Sequence, residues 1–353
     1  MPFQLFKENE RGVIQGNFNP TSAMKKTGKY FPRITYTERP TRGGKTYQLA
    51  IEFSIPKLMF GNNFSEVADI DFDVIKKRLS DVMREMGILW LFTMQIENMT
   101  VGKIDFCKNV VFTDGTPIAY ITSLIRSANI SKVYDVEKNG FRNGGHIFHI
   151  HTNSLDISIY DKIADLQQEK KSPKRAKEED GFTQLSILDE FEKNRKLSVL
   201  RFEVRLNGQK KIKSTLNQVG IQNENITFKD LFSSNVARKI LMFHWNNIVN
   251  NIPKAPLDYE TPENVFKQLL SLEDITPQKA MASLGYYLLR QDTNDARMIR
   301  SVLENRFGRH SWQRIRNGMR DPPKSQNLKS LLFISKTIFE MEAIKIDDYI
   351  LRL

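Results

Sequence analysis

The sequence predicts an α+β protein: an antiparallel sheet with helices on one face, followed by a mostly helical C-terminal region. Three observations lead there. Runs of alternating polar and apolar residues recur up to residue 206, helical periodicities separate them, and beyond residue 262 the helical pattern is nearly continuous. At 353 residues the chain makes one large domain or two ordinary ones. Residues 251–262 (NIPKAPLDYETP), rich in proline and polar groups, mark the expected boundary between 1–250 and 251–353.

In chain order, period-two alternation predicts strands at 45–55 (KTYQLAIEFSI), 100–107 (TVGKIDFC), 146–151 (HIFHIH), 155–160 (LDISIY) and 199–206 (VLRFEVRL). Helices are expected near 71–87, 117–128, 162–170, 183–196 and 228–249. Residues 168–181 (QEKKSPKRAKEEDG) mix both charge signs around Pro173 and read as an exposed loop or hairpin tip. Thr261-Pro262 and Thr276-Pro277 each set a capping threonine before a proline suited to a first helical turn. They open helices near 262–272 and 277–290, with others expected at 294–307, 312–320 and 325–341.

Composition narrows the class. Hydrophobic residues at 40% and charged residues at 27% exclude wholesale disorder. No apolar run reaches the ~18–20 residues of a membrane span, and the opening MPFQLFKENER lacks the apolar stretch of a signal peptide. The lone Cys107 rules out an internal disulfide framework and a cysteine-based zinc site, so a reducing cytoplasm is the expected setting. With 53 Lys+Arg against 41 Asp+Glu the formal charge is +12, which favours a polyanionic partner, most simply nucleic acid.

Side chains on a strand alternate between its faces. Leu49, Ile51, Phe53 and Ile55 oppose Glu52 and Ser54; Ile104 and Phe106 oppose Lys103 and Asp105. His149 and His151 share a face, with His146 on the other. Asp156, Ser158 and Tyr160 oppose Leu155, Ile157 and Ile159, and Arg201, Glu203 and Arg205 oppose Leu200, Phe202, Val204 and Leu206. If all five strands form one sheet, one face is oily and the other gathers carboxylates, imidazoles, a phenol, a lysine and arginines. Such a face is either an ordinary half-solvated sheet surface or a site.

As a site, Asp105, Glu203 and Glu52 offer hard oxygen ligands for Mg or Mn, which would polarise a phosphodiester. His149-Ile150-His151 is either a two-imidazole metal clamp or a pair of histidines lining a polar groove. Tyr160 ends its strand where a helix begins, placing its phenol near a helix N-terminus that favours anions. Lys162 would steady a phenolate or phosphate oxygens, and attack of the phenol on phosphorus would give a covalent phosphotyrosine.

ISIYDKIADL (157–166) followed by LRFEVRL (200–206) resembles the replication initiators typified by the filamentous-phage gene II protein. IEFSIPKLMFGNNFSEV (51–67) is similar to that family's strand-then-loop element and VGKIDF (101–106) to its Ile-Asp strand. The motifs stand in family order over roughly residues 45–210, with looser similarity in ASLGYYLLRQD and SWQRIR. The resemblance implies a Rep-like, metal-dependent nickase that cuts one strand at a phage or plasmid replication origin. It would hold the 5′ end through a phosphotyrosine and later rejoin the ends, working with a host helicase and polymerase in a bacterial cytoplasm. By motif, Tyr160 corresponds to the nucleophile, Lys162 to the lysine after it, and Asp105, Glu203 and Glu52 to acidic positions expected to bind the ion. The His149-Ile150-His151 strand departs from the gene II pattern.

Duplex and single-stranded origin DNA is the partner so implied, with no membrane partner. Lys103, Arg201 and Arg205 on the polar face are expected to touch it. So are Arg309, Arg314, Arg316 and Arg320 in a helix-turn-helix at 294–320, where Gly308 is expected to close the first helix and Ser311 to cap the second. That basic helix either meets DNA or is a solvated face, while Trp312, Tyr286 and Tyr287 are expected in a core. Lys210, Lys211 and Lys213 are a phosphate contact or plain surface. Rival readings are a plasmid relaxase or transposase with the same tyrosine chemistry, and a non-catalytic DNA-binding regulator.

Overall fold

Two antiparallel sheets carry the strands of the described residues. The structure, a computed structural model, describes residues 5–349 apart from 22–23, 25–26, 89–92, 114–115, 117, 127, 129, 131–132, 135–137, 140–146, 166–196, 223–225, 253–261, 271–274, 294–295 and 320–327. The predicted helix at 183–196, the loop at 168–181 and His146 lie outside the described residues. The first sheet is β1 (Leu5–Glu8), β2 (Ile14–Phe18), β3 (Arg33–Thr41) and β4 (Gly44–Glu52), in that order. The second holds β5 (Lys103–Phe112), β6 (Lys138–Asn139), β7 (Ile147–His151), β8 (Leu155–Asp161) and β9 (Ser198–Asn207), in the order β5-β9-β8-β7-β6. Helices follow as α1 (Ile55–Phe60), α2 (Phe72–Glu85), α3 (Thr93–Glu97), α4 (Ile118–Arg126), α5 (Gln209–Gln218), α6 (Phe228–Leu231), α7 (Ser234–Val249), α8 (Pro262–Leu270), α9 (Pro277–Thr293), α10 (Ala296–Phe307), α11 (Ser311–Gly318) and α12 (Leu328–Glu340).

The expectation of one sheet containing all five predicted strands is corrected: β4 belongs to the first sheet, with β3 as its partner. The strand also stops at Glu52. Ser54 takes an extended backbone and its hydroxyl accepts from the Lys57 N–H (3.5 Å), while Pro56 presets the first turn of α1. Gly61 ends that helix at φ 69°, where a side chain would be strained, so the expected strand-then-loop is a strand, a helix and a loop. The single helix expected at 228–249 is likewise two, α6 and α7.

In the second sheet the apolar alternation buries Phe106, Val110, Ile157 and Phe202 against α4, α7 and α12. Trp245 of α7 is fully buried against Phe202, and its indole N–H donates to Ser335 of α12 (2.8 Å). Thus α12 packs on this sheet, whereas α8 and α9 share a small core of their own around Val265, Leu269, Ala280 and Tyr287. The first sheet is covered by α2 through Ile34, Ile75, Leu79 and Met83. Among the described residues no helix is long and apolar enough to cross a membrane.

The exposed edge of β5 is closed by a carboxylate. Glu66 accepts from the Asn109 N–H (2.6 Å) on one oxygen, and from Lys108 Nζ (2.5 Å) and the Ile344 N–H (3.3 Å) on the other. Lys108 is fully buried and also donates to the Glu342 carbonyl (2.6 Å). An edge strand left open invites pairing with other chains, and this clip covers it with the C-terminal segment.

Candidate functional site

Register brings the polar side chains of β5, β9, β8 and β7 into rows across one face. Asp105 lies opposite Arg205, Arg205 opposite Asp156, and Asp156 opposite His151. The next row runs Cys107, Glu203, Ser158, His149, and the next Asn109, Arg201, Tyr160, Ile147. The tight link between β7 and β8 sets the first pairing: the Thr152 N–H donates to the Leu155 carbonyl (2.9 Å), so His151 faces Asp156.

One corner of this face suits a metal ion. Ligand atoms of His149, His151 and Asp156 all lie within 4.8 Å of one another. His149 Nε2 is 3.7 Å from Asp156 Oδ1, and His151 Nδ1 pairs with the same oxygen. The two rings stack with centroids 5.7 Å apart, and Asp156 Oδ2 accepts from Asn207 (3.3 Å), which fixes the carboxylate. His151 is exposed and Asp156 only 14% exposed, so the corner opens on one side. Three protein ligands with an open side are the pattern of catalytic rather than structural sites. Two imidazoles and one carboxylate fit Mn or another transition ion better than Mg, which prefers oxygen.

The predicted carboxylate ligands sit elsewhere. Asp105 is held by both arms of Arg205, Nε to Oδ1 at 2.8 Å and a terminal nitrogen to Oδ2 at 2.6 Å. That fork raises the Arg205 pKa through the hydrogen bond to Asp105. Glu52, on the first sheet, is exposed and 3.7 Å from Lys103 Nζ. Glu203 accepts from Arg201 Nε (2.5 Å) and from the Tyr160 hydroxyl (3.0 Å). Of the expected ligands the structure brings together only His149 and His151, and the third member is Asp156. The signal for it was local: in HIHTNSLD a short turn must set His151 against Asp156.

Comparison with protein-family models, curated proteins and solved structures yields no match to this chain. The site therefore rests on its own geometry.

Tyr160 is buried at 9% exposure, and burial pushes its phenol pKa well up, with the Glu203 carboxylate adding to the shift. Burial opposes ionisation of Glu203, but Arg201 and Lys162 outweigh it and hold the carboxyl below its usual range. Lys162 is buried at 1%, paired with Asp165 (3.2 Å) and 5.7 Å from the centre of the Tyr160 ring; burial, then Arg201, lower its pKa. Arg201 is anchored by the Asn63 carbonyl (2.6 Å) and touches Cys107 Sγ (3.1 Å), whose thiol burial pushes up to about 11. The expectation of a helix N-terminus open to anions is corrected. Asp161 Oδ1 already accepts the N–H groups of Ile163 (2.9 Å) and Ala164 (3.0 Å).

Of the predicted DNA contacts, Arg201 is buried and Arg205 half-exposed, both committed to carboxylates. Lys103 is half-exposed beside Glu52. Arg309, Arg314 and Arg316 are exposed on α11 and the turn before it; Arg320 lies outside the described residues. Gly308 ends α10 at φ 87°, whereas Ser311 does not cap α11 and instead donates to the Leu303 carbonyl (3.1 Å). Trp312 and Tyr287 are buried. Lys210 and Lys213 line an open groove of about 580 Å³ on α5, with Ser214, Asn217 and Gln218.

Proposed function

We propose that this protein is a metal-dependent DNA-nicking and rejoining enzyme that initiates rolling-circle replication, as its resemblance to gene II-type initiators implies. One observation carries the reading. The His149, His151 and Asp156 ligand atoms cluster on the same sheet face as the Tyr160 phenol and two arginines. The net charge of +12 supports a nucleic-acid substrate. A divalent ion held by the triad would polarise a phosphodiester and offset charge on its oxygens.

In the proposed step the Tyr160 oxygen bonds to phosphorus as the P–O3′ bond breaks. The phenol proton passes to Glu203, its hydrogen-bond partner, and the departing 3′ oxygen takes up a proton from solvent. The bond energy is kept in the phosphotyrosine, so rejoining is the reverse. Arg201 holds Glu203 in place, and Lys162 beside the ring offsets developing negative charge.

The burial of Tyr160 favours a second reading, in which the phenol is structural and the protein grips DNA without cutting it. Incubating supercoiled replicon DNA with Mn separates the two. The enzyme reading expects nicked circles with protein attached to the 5′ end on a denaturing gel, and loss of both in Tyr160→Phe. Unchanged nicking by Tyr160→Phe removes the nucleophile assignment, and no nicking by the unmodified protein removes the enzyme.

A further inference from the structure

The β3–β4 hairpin carries none of the candidate site, yet it is built as a charged arm. β2 pairs with β3 only from Ile34 to Glu38, so from Arg39 to Thr46 the chain continues as a two-stranded ribbon, with Gly12 of the turn between β1 and β2 beside Pro40. Its tip turns through Arg42 and Gly43, and Gly44 follows at φ 130°. Residues 41–48 are all exposed. Cross-strand stacking of Tyr36 on Tyr47 (6.3 Å) stiffens the base of the ribbon, although Tyr47 is 64% exposed.

Charge on this arm is one-sided. Between residues 33 and 48 stand Arg33, Arg39, Arg42 and Lys45 against Glu38 alone, and Lys45 already neutralises that carboxylate at 2.5 Å. Among the described residues no ion pair engages Arg33, Arg39 or Arg42. Their face of the sheet continues with Gln15, Thr37, Thr46 and Gln48, and carries no acid until Glu52 at the far end.

We propose that the β3–β4 ribbon is a duplex-DNA contact element that enters the major groove. A two-stranded ribbon fits a groove about 12 Å wide, and three residues past Glu38 reach about 10 Å, enough for a depth of about 8.5 Å. Arginine, glutamine and threonine are the side chains that read base edges and phosphates there. The inference does not depend on the metal triad or on Tyr160.

The test measures binding of the full chain to a labelled mixed-sequence duplex across a salt series. Arg39→Ala with Arg42→Ala is expected to weaken binding about tenfold or more and to reduce the slope of log K against log salt by about 2, near 0.9 per lost phosphate contact. Arg39→Lys with Arg42→Lys is expected to keep most of the slope, which shows that the arm folds and that charge is what matters. A charge-matched pair on exposed helix positions, Lys77→Ala with Lys239→Ala, is expected to change little. Unchanged binding in the arginine-to-alanine pair, or equal losses in both alanine pairs, overturns the proposal. Nicking is scored in the same samples. The ribbon falls on its binding data whether or not DNA is cut, and the nickase reading falls on an absent adduct whether or not the ribbon binds.

Discussion

His244 is expected to make the protein sensitive to mild acid. It lies on α7, 2% exposed, behind the sheet that carries the candidate site. Its Nδ1 shares a hydrogen bond with the Tyr134 hydroxyl (2.8 Å), and its Nε2 has no partner among the described residues. A cation there would be desolvated and near Lys211, so burial first and Lys211 second lower its pKa from 6.5 to about 3. Because the folded value is depressed, the unfolded chain binds the proton more readily between those two values. The stability is present above pH 6.5 and is lost as pH falls toward 3. From pH 7 to pH 5 the loss due to this residue is about 2 kcal/mol, and the full span of 3.5 units corresponds to about 5 kcal/mol. Urea unfolding at both pH values, for the unmodified chain and for His244→Asn, isolates the contribution by difference. The variant, though less stable at pH 7, is expected to lose about 2 kcal/mol less on acidification. Equal losses in the two proteins would show that the imidazole can take its proton inside the fold, and the burial reasoning would be refuted.

Four further outcomes follow from the same kind of reasoning. Glu66→Ala strands the fully buried Lys108 ammonium and uncovers the β5 edge, so it is expected to cost about 3–5 kcal/mol in denaturant unfolding; a cost below about 1 would mean the clip is unimportant. Asp156→Asn and His151→Ala are each expected to abolish stoichiometric Mn binding in calorimetry, whereas Asp105→Ala, whose carboxylate is occupied by Arg205, is expected to leave it intact; the opposite pattern would move the metal to the acidic row. Glu203→Gln removes the charge facing Arg201, and about 3–5 kcal/mol of destabilisation is expected on the same scale. Conversely, acid that protonates Glu203 should loosen the unmodified chain below about pH 4.5, since its folded value is held under the usual one.

Much of the site's face was legible in the chain, because alternation along a strand is a local property. Asp105, His149, His151, Tyr160, Arg201, Glu203 and Arg205 share one face as the pattern of their own strands required. The apolar sides of those strands likewise announced the core now filled by Phe106, Ile157 and Phe202. What each polar group touches was not legible. Tyr160 and Glu203 are 43 residues apart in the chain, and Asp105 and Arg205 are 100 apart. Such distances are bridged only by strand order and register, which packing on α4, α7 and α12 selects.

The chain by itself therefore determined which residues face together, the charge of the whole, and the helix starts at Pro262 and Pro277, since each depends only on composition or on near neighbours. Tertiary structure alone decided that β4 joins another sheet and that arginines occupy Asp105 and Glu203. It also decided that Asp156 completes the histidine pair and that the Tyr160 phenol is covered. The reason is physical: a strand's alternation is written in its own residues, whereas the neighbour that neutralises or exposes a side chain is supplied by a different strand.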